Sequence, residues 1–147
     1  MQCDTYNGHK KYRVSAVNEV LNAVERCVPI NYTEISIAFL DEASICALHA
    51  EFLNNADPTD VITFPAEEGE KERVGEICIS VDEALKYSQY ALEDELTLYL
   101  VHGWLHLAGY DDIDPKDRVV MREMEQKVLA FLDQQPCSRL QIESVVD

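Results

Sequence analysis

The sequence lacks any apolar run near the ~20 residues that a membrane-spanning helix needs. Its longest apolar stretch follows the acidic residues 93–95 and is interrupted by His102. The first residues, MQCDTYNGHKKYR, are too polar for a secretory signal. We therefore expect a cytoplasmic protein with no membrane partner.

Cysteine is sparse and scattered. The chain has five cysteines, an odd number, and no two of them form a CxxC pair. This distribution argues against a disulfide framework and against a thiolate zinc site. We interpret the cysteines as small buried apolar side chains in a reducing compartment, which agrees with a cytoplasmic location.

Basic residues are also scarce. Twelve lysines and arginines stand against 28 acidic residues, so the formal net charge is −16. Proteins that bind nucleic acids usually display a basic patch, because neutralising phosphates supplies much of their affinity. Composition alone therefore argues against a nucleic-acid ligand, and support for one has to come from a specific site.

The pattern of apolar and turn residues predicts a single α+β domain. We predict strands at 1–9, 34–40, 60–66 and 74–81, the last two forming a hairpin. We predict helices at 11–28, 41–54 with Asp41 as cap, 82–91 with Asp82 as cap, 94–109 and 114–133 with Asp114 as cap. This order indicates a small mixed sheet of about four strands covered by helices. We assign residues 1–133 to the domain and 134–147 to a loosely held tail.

The most informative stretch is LYLVHGWLHLAGYDDID, residues 98–114. His102 and His106 are four residues apart on an apolar helix, so their side chains can share one metal ion. Gly109 can adopt the left-handed conformation that ends a helix, and Asp112 follows it at the spacing of the third ligand in HExxHxxGxxH. A chance HxxxH pair on a helix is the alternative. His9 and His49 lack such a setting.

One residue argues against ordinary peptide hydrolysis. In HExxH enzymes, the glutamate after the first histidine is the general base. Here that position is Gly103. A metal could still polarise a substrate oxygen or acidify a bound water, but the proton acceptor has to lie elsewhere.

Three ordered motifs resemble the YbeY family of metal-dependent endoribonucleases, which mature bacterial ribosomal RNA. HGWLHLAGYDD is similar to that family's HGxLHLxGYDH, DPTDVITFP to its PTDVLSFP, and GEICIS to its GDIxIS. Together with the lead-in EDELTLYLVHG and with MREMEQKVL, the likeness runs from about residue 34 to 133. The family fold is α+β, in agreement with the predicted elements.

The chain departs from the family pattern at two positions. Asp112 stands where the family has its third histidine ligand. A carboxylate is a competent zinc ligand, and Asp111 is the competing candidate, although it matches a family aspartate that is not a ligand. Leu53 stands where family members often carry an arginine that faces the active site, so a phosphate-binding cation is missing there.

Several further residues allow two interpretations. Thr59 and Asp60 either line the cleft and orient the substrate, or form a turn that leads into a strand. Glu95 either orients a ligand imidazole or is an ordinary acid of a first helical turn. Arg118 and Arg122 could touch RNA, but we expect them to pair with neighbouring acids on the last helix.

The resemblance implies an endoribonuclease that cleaves single-stranded RNA in ribosomal RNA maturation and ribosome quality control. We expect one zinc ion per chain, on His102, His106 and Asp112. The expected partners are ribosomal RNA and a ribosomal particle or ribosome-associated protein, with no DNA. Two alternatives stay open: a ribosome-biogenesis factor with a structural metal, and a metallohydrolase of another substrate, such as peptide.

Overall fold

A computed structural model of the chain describes residues 1–55, 57–89 and 91–145. The strands that it describes are β1 (Gln2–Asn7), β2 (Tyr12–Ser15), β3 (Glu34–Leu40), β4 (Val61–Phe64), β5 (Val74–Ser80) and β6 (Gln141–Ser144). The helices are α1 (Val17–Cys27), α2 (Glu42–Leu53), α3 (Val81–Tyr87), α4 (Leu92–Leu107) and α5 (Pro115–Leu132).

Four of the strands form a mixed sheet in the order β1-β3-β5-β4. The pairs β1–β3 and β3–β5 are parallel, and β4 runs antiparallel to β5. The α+β class, the four-stranded mixed sheet and the β4–β5 hairpin are thus confirmed. A second sheet joins β2 to β6 in antiparallel register.

The sheet separates two apolar layers because side chains alternate along each strand. On one face, residues such as Ile37 and Ile77 pack into the main core with α1, α4 and α5. On the other face, Ile62 and Cys78 pack with Ile45 of α2 in a smaller cluster. Helix α4 therefore lies within the larger core, which is where the predicted metal site requires a rigid support.

The predicted helix at 11–28 is wrong in its first third. Residues 12–15 form β2, and α1 begins at Val17. Ala16, with φ of 63°, makes the sharp change of direction between them. Val14 fits the helical spacing of apolar residues because it is buried in the same core as α1. It nevertheless lies on a strand, opposite Ile142.

The predicted cap of α3 is also wrong. Ser80 caps this helix, and its hydroxyl accepts a hydrogen bond from Glu83 N at 3.1 Å. The Ser-x-x-Glu order is a capping-box pattern, and it places the cap two residues before Asp82. The helix ends at Tyr87 rather than at 91.

The segment after Pro136, expected to be a loose tail, is tied to the domain. Leu140 is fully buried, and its backbone N–H donates to Thr97 Oγ1 of α4 at 3.0 Å. Strand β6 then pairs with β2, so packing and backbone hydrogen bonds hold residues 140–144.

All five cysteines are free thiols. The expectation that they are buried is correct for Cys78 alone, since the other four are half-buried. In the part of the chain that the structure describes, no helix is both long enough and apolar enough to cross a membrane.

Candidate metal centre

The buried side chains of α4 fix the orientation of this helix about its own axis. Trp104 is fully buried, and its indole N–H donates to the Val28 carbonyl at 2.9 Å. Leu100 and Leu105 are also inaccessible to solvent. This packing directs His102 and His106 to the less buried side of the helix, with side chains 21% and 24% exposed.

Gly103 lies where α4 packs closely against the sheet. A Cβ atom at this position would lie 2.6 Å from Ile77 Cγ2 and 3.2 Å from Val61 Cγ1. The residue after the first histidine therefore faces β4 and β5, and no side chain fits there. A glutamate base of the HExxH type is excluded by packing, which gives a physical reason for the glycine.

Gly109 ends α4 as the sequence indicated. Its φ is +104°, and its N–H donates to the His106 carbonyl at 3.0 Å. Tyr110 N donates to Leu105 O at 3.0 Å in the same turn. A positive φ is readily available to glycine, so the chain reverses here and returns the next residues to the histidine face.

The turn brings Asp112 onto the two histidines. His102 Nε2 lies 3.0 Å from His106 Nε2 and 3.3 Å from Asp112 Oδ2, and His106 Nε2 lies 3.4 Å from the same oxygen. These three residues, here called the metal cluster, could hold one ion. Asp111, the competing candidate, instead accepts a hydrogen bond from Asp112 N at 2.8 Å.

Glu125 of α5 contacts His102 on the side of the ring that faces away from the other two cluster residues. Its Oε2 atom lies 2.8 Å from His102 Nδ1, and the residue is buried. Because a carboxylate accepts, Nδ1 is the donor, and Nε2 of the neutral ring keeps the lone pair that points to the other two residues. Burial lowers the pKa of His102, but the hydrogen bond and charge of Glu125, with the charge of Asp112, raise it above the usual value.

The sequence does not predict this role of Glu125. Glu95, the acid that was a candidate partner of an imidazole, lies beside Tyr99 instead. Burial raises the pKa of the Tyr99 hydroxyl, and the negative charge of Glu95 raises it further. The position of Glu125 could have indicated this role. It lies on the same side of α5 as Met121 and Val128, where an unpaired carboxylate would be costly to bury.

A cavity of about 280 Å³ opens beside the cluster, between α4, α5 and the start of β4. It is lined by Asp60, Leu98, Tyr99, His102, Asp112, Arg118, Met121, Arg122 and Glu125. Asp60 thus lies at the cavity, with its Oδ1 accepting from Val61 N at 2.8 Å. Thr59 is half-buried, with its hydroxyl 3.5 Å from the same oxygen.

Arg118 and Arg122 do not make the ion pairs that the sequence suggested. Among the residues described, neither guanidinium has a carboxylate within 4.0 Å, and Arg118 Nη1 donates to the Ile113 carbonyl at 3.0 Å. Both side chains are exposed at the cavity.

Three other residues lie apart from the cluster. His9 pairs with Asp82 at 2.9 Å, and His49 Nδ1 lies 2.8 Å from the Asp57 carbonyl. Leu53 ends α2 with 57% of its surface exposed. None of the three lines the cavity beside the metal cluster.

Comparison with known proteins agrees with this architecture. The family model for endoribonuclease YbeY matches residues 3–133. The chain is 35% identical to the endoribonuclease YbeY of Protochlamydia amoebophila over 128 residues, covering 83% of this chain and 85% of that protein. It is 38% identical to that of Heliobacterium modesticaldum over 117 residues, covering 69% and 70%.

A solution structure from Thermotoga maritima shares the fold. Its TM-score is 0.54 at 24% identity, and the match covers 92% of this chain and 94% of that one. The resemblance seen in the three sequence motifs is confirmed by the family model and by these relatives: the chain belongs to the endoribonuclease YbeY family.

Proposed function

We propose that the protein is a zinc-dependent endoribonuclease that cleaves single-stranded RNA during ribosomal RNA maturation. The observation that carries this proposal is the convergence of two imidazole nitrogens and one carboxylate oxygen beside an open cavity. Family membership supplies the reaction class, since the relatives are named endoribonucleases.

The donor set supports zinc, one ion per chain. A tetrahedral zinc ion with ligands at ~2.0–2.1 Å separates them by about 3.3 Å, and the three observed separations are 3.0, 3.3 and 3.4 Å. The Glu125–His102 hydrogen bond gives the carboxylate–histidine arrangement that commonly orients a metal-bound imidazole. When bound, the metal supplies Lewis-acid activation of water or of a phosphodiester oxygen.

The residues around the ion have distinct tasks in this proposal. His102, His106 and Asp112 bind the metal, and Glu125 holds the His102 ring in its metal-binding tautomer. Asp60, fixed by its hydrogen bond to Val61 N, orients the substrate or accepts a proton at the cavity. Thr59 assists by its contact with that carboxylate.

A peptide substrate is disfavoured by the position after His102. The buried Gly103 faces the sheet, so the proton acceptor of zinc peptidases has no counterpart there. A digest of a peptide library by the zinc-loaded protein is expected to give no cleavage above that of the metal-stripped protein.

The net charge of −16 disfavours tight unaided binding to RNA. We therefore propose that a ribosomal particle or ribosome-associated protein in the cytoplasm presents the ribosomal RNA, with a role in ribosome quality control. Cleavage of precursor rRNA is expected to be faster within a pre-ribosomal particle than for the same RNA alone.

The central test combines metal analysis with RNA cleavage. The purified protein should contain about one zinc per chain, and His106→Ala should contain much less. A labelled single-stranded RNA should be cut by zinc-loaded protein, but not by chelator-treated protein or by Asp112→Ala, and the matching DNA strand should survive. Equal zinc in both proteins would exclude the metal site, and undiminished cleavage after metal removal would exclude the mechanism.

A further inference from the structure

Basic residues are few in this molecule, and two of them line the cavity beside the metal cluster. Twelve lysines and arginines face 28 acids, yet Arg118 and Arg122 both line the space beside the metal cluster. They stand four residues apart on α5, so they share one side of that helix. Three carboxylates, those of Asp60, Asp112 and Glu125, line the same cavity, so the arginine pair supplies its positive charge.

The rotation of α5 is set by its buried residues. Met121 is 2% exposed, and Glu125 is held by its hydrogen bond to His102. The same contact that orients a metal-binding imidazole therefore fixes which side of α5 faces the cavity. Arg118 and Arg122 lie on that side, and the hydrogen bond from Arg118 to Ile113 O anchors the first guanidinium close to the Asp112 turn.

Two other cations of the described chain, Arg139 and Lys86, are paired with acids. Arg139 is within 3.0 Å of both Asp94 and Asp133, and Lys86 pairs with Glu83 and Glu42. Among the described residues, no carboxylate neutralises Arg118 or Arg122. A guanidinium carries five donors, and its planar fork matches two oxygens of a phosphate, so most of this capacity is available to a ligand.

We infer that Arg118 and Arg122 are positioning residues that bind backbone phosphates of the RNA strand and draw the scissile bond to the metal cluster. This inference rests on the proposed function. It also gives the chain a phosphate-binding pair on α5, whereas Leu53, on α2, is apolar and exposed. Because the contacts are to phosphate, they bind the strand without reading its sequence.

The test compares two double variants with equal charge change. Arg118→Gln/Arg122→Gln removes the pair at the cavity, and Arg13→Gln/Lys127→Gln removes two exposed cations elsewhere, one of them on the same helix. For zinc-loaded proteins and a labelled single-stranded RNA, the first variant is expected to raise KM about tenfold and to change kcat less than about twofold. The control should keep KM within about twofold.

Two further readouts separate phosphate binding from a structural role. The dependence of log KM on log salt concentration should become shallower by roughly 0.7 for each lost phosphate contact. Arg118→Lys/Arg122→Lys should recover part of the affinity, because charge returns without the planar fork. Zinc content should be unchanged in all these variants.

The possible outcomes distinguish this inference from the proposed function. A wild-type enzyme that cleaves RNA, with the two double variants equal in KM, would overturn the inference alone. A loss of zinc in Arg118→Gln/Arg122→Gln would also overturn it, by placing the effect in the metal cluster. A zinc-loaded wild type that cuts no RNA would remove both.

Discussion

The His9–Asp82 pair and the metal cluster both place histidine beside aspartate, but they differ in how their lone pairs are used. In the His9–Asp82 pair, His9 Nε2 lies 2.9 Å from Asp82 Oδ1, and His9 Nδ1 accepts from Lys11 N at 3.1 Å. Asp82 Oδ2 accepts from Glu42 N at 2.7 Å. The polar atoms of this pair are therefore satisfied within the protein, and the pair joins the β1–β2 turn to α2 and α3.

The metal cluster has the opposite arrangement. Three potential acceptors converge at 3.0–3.4 Å, and the His102 N–H is already given to Glu125. Lone pairs pointed at one another are unfavourable unless a cation or a proton lies among them. The difference teaches that convergence of acceptors, rather than a histidine beside an aspartate, indicates a metal site.

The largest effect is expected from His106→Ala. Loss of one of three ligands should remove most of the bound zinc and lower RNA cleavage by at least about a hundredfold, because metal chemistry supplies several kcal/mol of transition-state stabilisation. Metal content and initial cleavage rates check this, with His49→Ala as the matched histidine control. Similar losses of zinc and of cleavage in both variants would contradict the assignment of metal binding to the cluster.

Glu125→Gln is expected to have the next largest effect. The amide keeps the size and can still accept from His102 Nδ1, but the negative charge is lost. Zinc affinity should fall about ten- to hundredfold, measured by competition with a coloured chelator. Glu123→Gln, an exposed neighbour on α5, is the control. Unchanged zinc affinity in Glu125→Gln would show that the negative charge of Glu125 does not contribute to metal binding.

Gly103→Ala tests how closely α4 packs against the sheet that supports the cluster. The added methyl would meet Ile77 Cγ2 at 2.6 Å, so the free energy of unfolding should fall by about 1–3 kcal/mol. Denaturant titration measures this. Ala108→Gly, at the end of the same helix, is expected to cost about 1 kcal/mol or less. A Gly103→Ala protein as stable as the wild type would mean that α4 can shift freely.

His9→Gln should have the smallest effect. It breaks the pair with Asp82 and should lower the free energy of unfolding by about 1 kcal/mol. Zinc content and RNA cleavage should stay at wild-type levels, since His9 lies outside the cavity. Denaturant titration and metal analysis of one preparation check both points, and a loss of zinc would contradict the assignment of this pair to structure alone.

Local signals predicted several elements correctly. Asp41 accepts from Ser44 N and Asp114 from Lys116 N, so both act as the helix caps that the sequence indicated. Alternation identified β3, and Gly109 marked the end of α4. These features depend on contacts within a few residues, which is why sequence patterns reveal them.

Pairings between distant segments were not predictable in this way. The sequence pattern does not predict strand β2, because its partner, β6, lies more than a hundred residues later and no local pattern indicates that pairing. The order of the C-terminal segment was likewise not predictable, because it depends on this strand pairing and on the hydrogen bond from Leu140 N to Thr97.

The sequence by itself determined the α+β class, the family and the four-residue spacing that places two imidazoles on one side of a helix, because these follow from local periodicity and ordered motifs. The tertiary structure alone decided which acid supports His102, why Gly103 admits no side chain, and that Arg118 and Arg122 face the cavity. Each of these depends on how α5 and the sheet pack against α4, and the distances between side chains on separate elements are set only by that packing.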